Sequence, residues 1–346
     1  MSGVAGIYYG TSGVRSILLE SDGKILIGGS FSSANGLDRH SIARLNSDGS
    51  VDTSFQRGMG GVLDGNGDEG TVLSVVRQAD GHIIIGGSFA SVNGTSRTNL
   101  ARLNPDGSLD GSFQPETFGS DGPLPVVSAA LLQPDGKLVI GGIFNTLNGT
   151  DHNSLARLNT DGSLDPGFLN GLAGPVETQT YTTVQTLALQ PDGKLFVGGA
   201  FDSVNGTARS DIARLNYDGT LDVSFQNGMT GPGIGDGNNG AVYSIALQSD
   251  GRPFVAGRFL NVNGLFASSL VRLHGTIPGL NDPGIAGGQF GFNITGYPGQ
   301  TVVAEASTNL VNWIPLQTNT LGINPLPFID AASASFPNRF YRARLQ

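Results

Sequence analysis

The stretch Leu187-Ala-Leu-Gln-Pro-Asp192-Gly193-Lys194-Leu-Phe-Val-Gly198-Gly199-Ala-Phe201 constrains the fold most, because close copies of it recur along the chain. The copies begin at Ile17, Val75, Ala130 and Ile245, and their Asp-Gly pairs fall at Asp22, Asp80, Asp135, Asp192 and Asp250. Successive offsets are 58, 55, 57 and 58 residues, which places repeat starts near 14, 72, 126, 184 and 242. A recurring period of that length marks a solenoid or a propeller.

Each unit reads as two hairpins. In the first, an apolar strand such as Val184 to Leu189 runs into Gln190-Pro191-Asp192-Gly193, and a second strand such as Lys194 to Val197 returns. Proline presets φ at the second turn position, aspartate favours the third, and glycine supplies the left-handed residue that closes a three-residue loop with a bulge. That loop length sets the register: Leu132 faces Leu138, Gln133 faces Lys137 and, in the first unit, Glu20 faces Lys24. The second strand ends in a double glycine, at Gly28, Gly86, Gly141 and Gly198 with their successors, and in Ala256-Gly257 in the last unit. A phosphate loop needs a helix after the glycines; here Phe and a polar loop ending in Asn-Gly follow, so close backbone approach or a bulge is expected.

The second hairpin reads, in the second unit, Leu100-Ala-Arg102-Leu103-Asn104-Pro105-Asp106-Gly107-Ser108-Leu109-Asp110. The same loop sets Leu103 opposite Leu109 and Arg102 opposite Asp110, and it repeats as Arg44 with Asp52, Arg157 with Asp165 and Arg214 with Asp222. An Arg and an Asp in a cleft can be catalytic, but a pair that recurs in every complete unit reads as a structural ion pair. Four strands per unit over five units predict an all-β chain, a five-bladed β-propeller over residues 1–276. The fifth unit stops short: after Leu270-Val-Arg272-Leu-His274 comes Gly275-Thr-Ile-Pro278, so its fourth strand is missing and Arg272 loses its Asp. Arg272 is therefore the candidate assembly residue. The N-terminal segment Val4 to Tyr9 is one candidate to complete that blade, and another subunit is the alternative.

The signature Leu-x-Pro-Asp-Gly-Lys-Leu-Val-Ile-Gly-Gly-x-Phe, then Asn-Gly, then Leu-Ala-Arg-Leu-Asn-x-Asp-Gly-Ser-Leu-Asp-x-Ser-Phe resembles the delta sixty-residue β-propeller repeats of large bacterial secreted and surface proteins. The resemblance covers roughly residues 14 to 276. It implies a propeller and an extracellular or cell-surface location, and it brings no catalytic residues with it. The N-terminus, Met1-Ser-Gly-Val-Ala-Gly-Ile-Tyr-Tyr-Gly, has neither a charged nor an apolar leader region, so either the protein is cytoplasmic or a signal peptide is absent from this chain, and the resemblance favours the second.

Composition narrows the partners. With a formal charge of −9 and no Lys/Arg run, the chain lacks the footprint of a nucleic-acid binder. No stretch of 18 apolar residues offers a membrane-spanning helix. No Cys is present, which removes thiolate ligands and nucleophiles, and the four histidines, His40, His82, His152 and His274, sit at different places in the repeat, so no ring of ligands forms. Between units lie variable loops, 56–71, 114–125, 170–183 and 226–241. One of them, with Asp64, Asn66 and Asp68 at alternating positions, resembles a hard-cation loop and is the candidate calcium site; it departs from the EF-hand, with Glu69 where glycine belongs, and a plain glycine-rich turn is the alternative. The related loop Asp236-Gly-Asn238-Asn239 is weaker. No other cofactor is indicated.

From Ile277 onward the repeat is broken. Pro278-Gly-Leu-Asn-Asp-Pro283-Gly reads as a linker, and runs near 289–295, 301–307, 313–318, 326–329 and 340–345 read as strands of a small C-terminal β-sandwich over 277–346. This segment resembles short fibronectin-like modules that end bacterial secreted proteins, and Trp313 is expected as its core anchor rather than a sugar platform.

Three functions stand open on these residues. The first expectation is a non-enzymatic structural protein that binds itself head-to-tail, with a filament as one outcome, because the last blade lacks a strand. A glycan-binding module, with surface glycans as partners and Phe118, Tyr181 and Tyr243 on loops, is the alternative. A polysaccharide-acting enzyme with a loop-built carboxylate pair is the third.

Overall fold

The computed structural model describes residues 4–5, 13–115, 118–120, 123–147, 150–169, 172–177, 182–223, 225, 232–233, 240–248, 251–262, 265–273, 279–295, 301–322 and 324–345. The chain is all-β; one 3₁₀ turn, Ser333–Ser335, is the helical segment among these residues. It divides into two compact units, Met1–Leu247 with Phe254–Val271, and Gln248–Pro253 with Arg272–Gln346.

The first unit is built from a blade-like sheet of three antiparallel strands per repeat. In the first repeat these are Gly13–Leu19, Ile25–Ser30 and Ile42–Leu45, and the triplet returns in each of the others, ending with Ala241–Leu247, Pro253–Arg258 and Leu270–Arg272. The Asp-Gly loops hold the expected register. Leu132 pairs with Leu138, and the Gln133 amide donates to the Lys137 carbonyl at 2.8 Å. Where a fourth strand was expected there is a single bridge, Leu45 with Val51, Leu103 with Leu109, Leu158 with Leu164 and Leu215 with Leu221. The Asn-Gly tips close tight hairpins such as Ser33–Ala34 with Leu37–Asp38, with Asn35 at φ 47° and Gly36 at 79°, as a type I′ turn requires.

A short strand from the loop before each repeat joins that small hairpin: Val62–Leu63 pairs with Ser91–Val92, and Pro175–Val176 with Ser203–Val204. Val4–Ala5 pairs in the same way with Ser33–Ala34. This corrects the expectation for the described part of the N-terminal segment. It lies on the first repeat, in the place that the inter-repeat loop fills elsewhere, not on the edge of the fifth; residues 6–9 lie outside the described residues.

Each first strand carries a bulge, as between Val14 and Ser16 or Val127 and Ala129. The bulge brings strand backbone onto the second glycine of each pair. A Cβ on Gly142 would fall on the Val126 carbonyl, and one on Gly87 on that of Thr71. The first glycine instead meets the next repeat: a Cβ on Gly28 would stand 2.6 Å from Val72 Cγ1, and one on Gly86 2.7 Å from Val127 Cγ1. Consecutive repeats share their cores here. Leu26, Ile42 and Phe55 of the first repeat cluster with Val72, Val75 and Ile85 of the second, and Ile84, Leu100 and Phe113 of the second with Val127 and Ile140 of the third. Among the described residues no sheet joins the fifth repeat to the first.

The second unit holds two three-stranded sheets, Gly279–Ala286, Gln289–Thr295 and Leu326–Asp330 in one, and Ile314–Thr320, Thr301–Ser307 and Phe340–Leu345 in the other. Phe292, Ile294 and Phe328 of the first cluster with Val302 and Ala304 of the second. The segment read as a linker is in fact a strand, because a bulge between Asn281 and Gly284 accommodates Pro283 and a Gly287-Gly288 turn returns the chain. Trp313 is not the core anchor. It is half-buried, its indole N–H donates to the Leu310 carbonyl at 3.2 Å, and Arg342 lies over its ring at 4.2 Å.

Candidate functional site

The recurring chemistry converges on the junction between one repeat and the next. The three-residue loop of the second hairpin places each Arg across from an Asp. The separations are 2.9 Å for Arg44 Nε to Asp52, 2.6 Å for Arg102 to Asp110, 2.7 Å for Arg157 to Asp165 and 2.7 Å for Arg214 to Asp222. A third group completes the cluster. Lys24, Lys137 and Lys194, from the first hairpin, reach the same carboxylates at 2.9, 2.8 and 2.7 Å, and in the second repeat His82 stands there instead, with Nε2 3.7 Å from Asp110. Lys24 therefore turns to Asp52 rather than to Glu20, whose carboxylate pairs with Arg77 of the next repeat.

These acids are nearly buried, which alone would raise their pKa, yet the donors around them prevail. For Asp110 the opposing groups are the Ser112 hydroxyl and amide with Arg102, and they hold it at about 2. Lys137, the Gly167 amide and Arg157 do the same for Asp165, also at about 2. Asp52 lies lower still.

The guanidinium has two further partners that bear on assembly. It lies over the Phe that ends each unit, 4.8 Å for Arg44 over Phe55, 4.9 Å for Arg102 over Phe113 and 4.8 Å for Arg157 over Phe168. Its Nη1 then donates to a turn carbonyl of the following repeat: Arg44 to Pro105 at 2.8 Å, Arg102 to Thr160 at 2.7 Å and Arg157 to Tyr217 at 2.6 Å. The backbone repeats this bond between repeats, Gln56 N–H to Asp106 carbonyl at 2.8 Å and Leu169 N–H to Asp218 carbonyl at 2.9 Å. The ion pairs thus fasten repeat to repeat. Each carboxylate is engaged by an arginine, and Asp52, Asp165 and Asp222 by a lysine as well.

One recurring position escapes a sequence reading. Just before each third strand, Ser41, Asn99, Ser154, Asp211 and Ser269 all take left-handed φ between 59° and 64°. Ser41 and Ser154 donate to the Gly70 and Thr182 carbonyls at the start of the next repeat, at 2.6 and 2.9 Å. The signal was a small polar residue at a fixed offset, which a turn explains equally well. Asp211 is the exception in charge: burial first, then the negative charge of Glu177, push it up to about 7 against the Phe201 amide that donates to Oδ1 at 3.3 Å.

The candidate calcium loop is closed by its own backbone. Asp64 Oδ1 accepts the Asn66 and Asp68 amides at 2.8 and 3.0 Å, and among the described residues no group of three His, Asp or Glu side chains is placed to hold a metal. The Asn66 and Asp68 amides thus close an Asx-type turn on Asp64. Asp236, Asn238, Asn239, Asn148, Gly149, Tyr181, Asn263, Gly264 and His274 lie outside the described residues. Arg272 is exposed on the third strand of the fifth repeat. A hollow of about 250 Å³ on the second unit, lined in part by Asp282, Asn293 and Phe328, has one carboxylate, and Asn293 donates to it at 3.1 Å. Among the described residues no helix is long and apolar enough to cross a membrane.

Five stretches of the chain, 20–55, 78–113, 133–168, 190–225 and 248–275, match the family described as "Domain of unknown function (DUF5122) beta-propeller". No curated protein matches the chain. Among solved structures, a protein of unknown function from Bacteroides caccae is similar over 79% of this chain and 82% of that one, at 15% identity and a TM-score of 0.39. A puromycin hydrolase is similar over 90% and 54%, at 14% identity and a TM-score of 0.32. A glycoside hydrolase is similar over 96% and 93%, at 12% identity and a TM-score of 0.32. Likenesses this distant bear on neither substrate nor chemistry.

Proposed function

We propose that the chain is a non-enzymatic structural protein that assembles with itself, built on five propeller blades with a C-terminal β-sandwich, and that it acts outside the cell. The observation that carries the assembly reading is the first repeat's open face. Ile17 is 69% exposed there, whereas Val75, at the same position of the second repeat, is 5% exposed because the first repeat covers it. An exposed apolar face of this kind is an interaction surface or an aggregation hazard, and a repeat array has a natural use for it. The non-enzymatic reading rests on Asp52, Asp110, Asp165 and Asp222, the recurring buried carboxylates, each of which is held by an arginine at a repeat junction. The extracellular reading rests on the resemblance to the delta sixty-residue repeats of secreted bacterial proteins.

The test is light scattering of the purified chain over a hundredfold range of concentration, followed by electron microscopy. Mass that climbs with concentration and ordered polymers on the grid support the proposal. A monomer at every concentration refutes it.

A further inference from the structure

The first repeat shows one open face; the fifth shows the other, and the two are halves of one interface. At internal junctions the outgoing face of a repeat is formed by a residue of the second strand, Leu26, Ile84, Val139 or Phe196, and one of the third, Ile42, Leu100, Leu155 or Ile212, all at most 1% exposed. The fifth repeat carries Phe254 and Leu270 at these positions, 38% and 62% exposed. On the incoming side Ile17 and Leu19 of the first repeat are 69% and 71% exposed. Both faces stand exposed in the same chain, so they do not cover each other.

A polar bond that marks three of the four internal junctions has both its ends present as well. Ser16 Oγ accepts the Val75 amide at 3.1 Å, Ser74 Oγ the Ala130 amide at 3.0 Å, and Thr186 Oγ1 the Ile245 amide at 3.2 Å. On the fifth repeat the equivalent hydroxyl is that of Ser244, which is exposed, and on the first repeat the equivalent amide is that of Ile17.

We infer that the outgoing face of the fifth repeat, centred on Phe254, Ala256 and Leu270, docks on the incoming face of the first repeat, centred on Val14, Ile17 and Leu19, of a second copy of this chain. The inference rests on the reading of the chain as a self-assembling protein, and it continues an interface that the chain itself builds four times. The pairing is heterologous, so copies add without closing a two-fold dimer. One residue sets its tightness. Ala256 occupies the place of Gly28, whose added Cβ would stand 2.6 Å from Val72 and 2.9 Å from Val75. The junction between copies is therefore spaced wider than the internal ones, by roughly an ångström if ordinary carbon contact near 3.5–4.0 Å is restored. It is correspondingly weaker, which makes assembly dependent on concentration.

The chain has no cysteine, so one engineered pair reports the contact without background. The double variant Ile17→Cys with Ala256→Cys places two thiols where the docked faces meet, because at the internal junction the equivalent position, Gly28, lies against Val75; a disulfide forms when the Cβ atoms come within about 3.5–4.5 Å. Under mild oxidation the expected result is a ladder of covalent multimers beyond the dimer that collapses on reduction, while either single variant stops at the dimer. Oligomers seen by light scattering without a ladder overturn this pairing and leave self-assembly standing. A monomer with an internal 17–256 disulfide overturns the second-copy assignment, since the faces then meet within one chain. A monomer at every concentration with no disulfide overturns both the pairing and the proposed function.

Discussion

The junction between the first and second repeats and the outward face of the fifth are made from the same sequence positions, and they differ by the presence of a neighbour. Leu26 and Ile42 are fully buried against the second repeat, whereas Phe254 and Leu270 stand partly or largely in solvent. Gly28 cannot accept a Cβ because Val72 and Val75 lie against it, while its counterpart is Ala256. Arg44 engages Asp52 of its own hairpin, whereas the sequence after Arg272 departs from the Asp-Gly-Ser-Leu-Asp pattern of the other repeats. The comparison teaches that the glycine and the Arg–Asp pair are junction devices, imposed by the next repeat rather than by the hairpin that carries them.

Arginine offers the widest test of that reading. Arg157 is 3% exposed and joins Asp165, Phe168 and the Tyr217 carbonyl of the next repeat, whereas Arg272 is exposed. Removing one partner of a buried charge pair costs several kcal/mol, so Arg157→Leu should lower the unfolding free energy by about 3 kcal/mol in urea titrations. Arg272→Ala should change it by less than about 0.5 kcal/mol, as exposed substitutions do. Equal losses would mean that the pair does not serve the junction.

The glycine position gives a smaller contrast. Gly86→Ala forces a methyl against Val127 and should cost about 1–3 kcal/mol, the usual range for overpacking. Ala256→Gly meets no such crowding and should leave the monomer within about 1 kcal/mol of its original stability, the entropic cost of glycine alone, while tightening self-association. A destabilisation by Ala256→Gly as large as that by Gly86→Ala would remove the distinction between internal and terminal faces.

The subtlest contrast is between buried acids. Asp110 and Asp165, held at about 2 by their donors, contribute stability that is present above the ordinary carboxylate value of 3.8 and is lost as the pH falls toward 2. Asp211 runs the other way. Its pKa is raised to about 7, so the stability tied to its neutral form is complete below 3.8 and is lost as the pH climbs through about 7. Asn99 fills the same left-handed position in the second repeat and accepts the Phe89 amide at 3.2 Å, so the fold already accepts an amide there. Asp211→Asn should raise the apparent melting temperature at pH 8 by a few degrees, each kcal/mol being worth ~2–4 °C at this size, with the gain shrinking toward pH 4. A gain that is flat with pH would show that Asp211 is charged throughout.

What a reader of the sequence can recover follows from separation along the chain. The Pro-Asp-Gly loops fix their hairpins, so Leu132 opposite Leu138 and Arg102 opposite Asp110 are legible across a few residues. The bond from Arg44 to the Pro105 carbonyl crosses into the next repeat, and nothing local predicts which way a guanidinium leaves its sheet. The same holds for Lys24, which lies opposite Glu20 in the hairpin yet reaches Asp52. Pro283 masked a strand because a bulge can hold a proline that a regular ladder cannot. Asp64, Asn66 and Asp68 read as an Asx turn and as a cation loop alike, because both place short oxygen-bearing side chains at alternating positions of a tight loop.

The central claim is that the first and fifth repeats carry two halves of one interface, and sedimentation velocity on the original chain beside Ile17→Glu tests it most directly. Ile17 is solvent-exposed in the single chain, so the substitution should leave its stability within about 0.5 kcal/mol. The account predicts a sedimentation coefficient that rises with concentration for the original chain and stays at the monomer value for Ile17→Glu. The same rise in both proteins, or in neither, would contradict it.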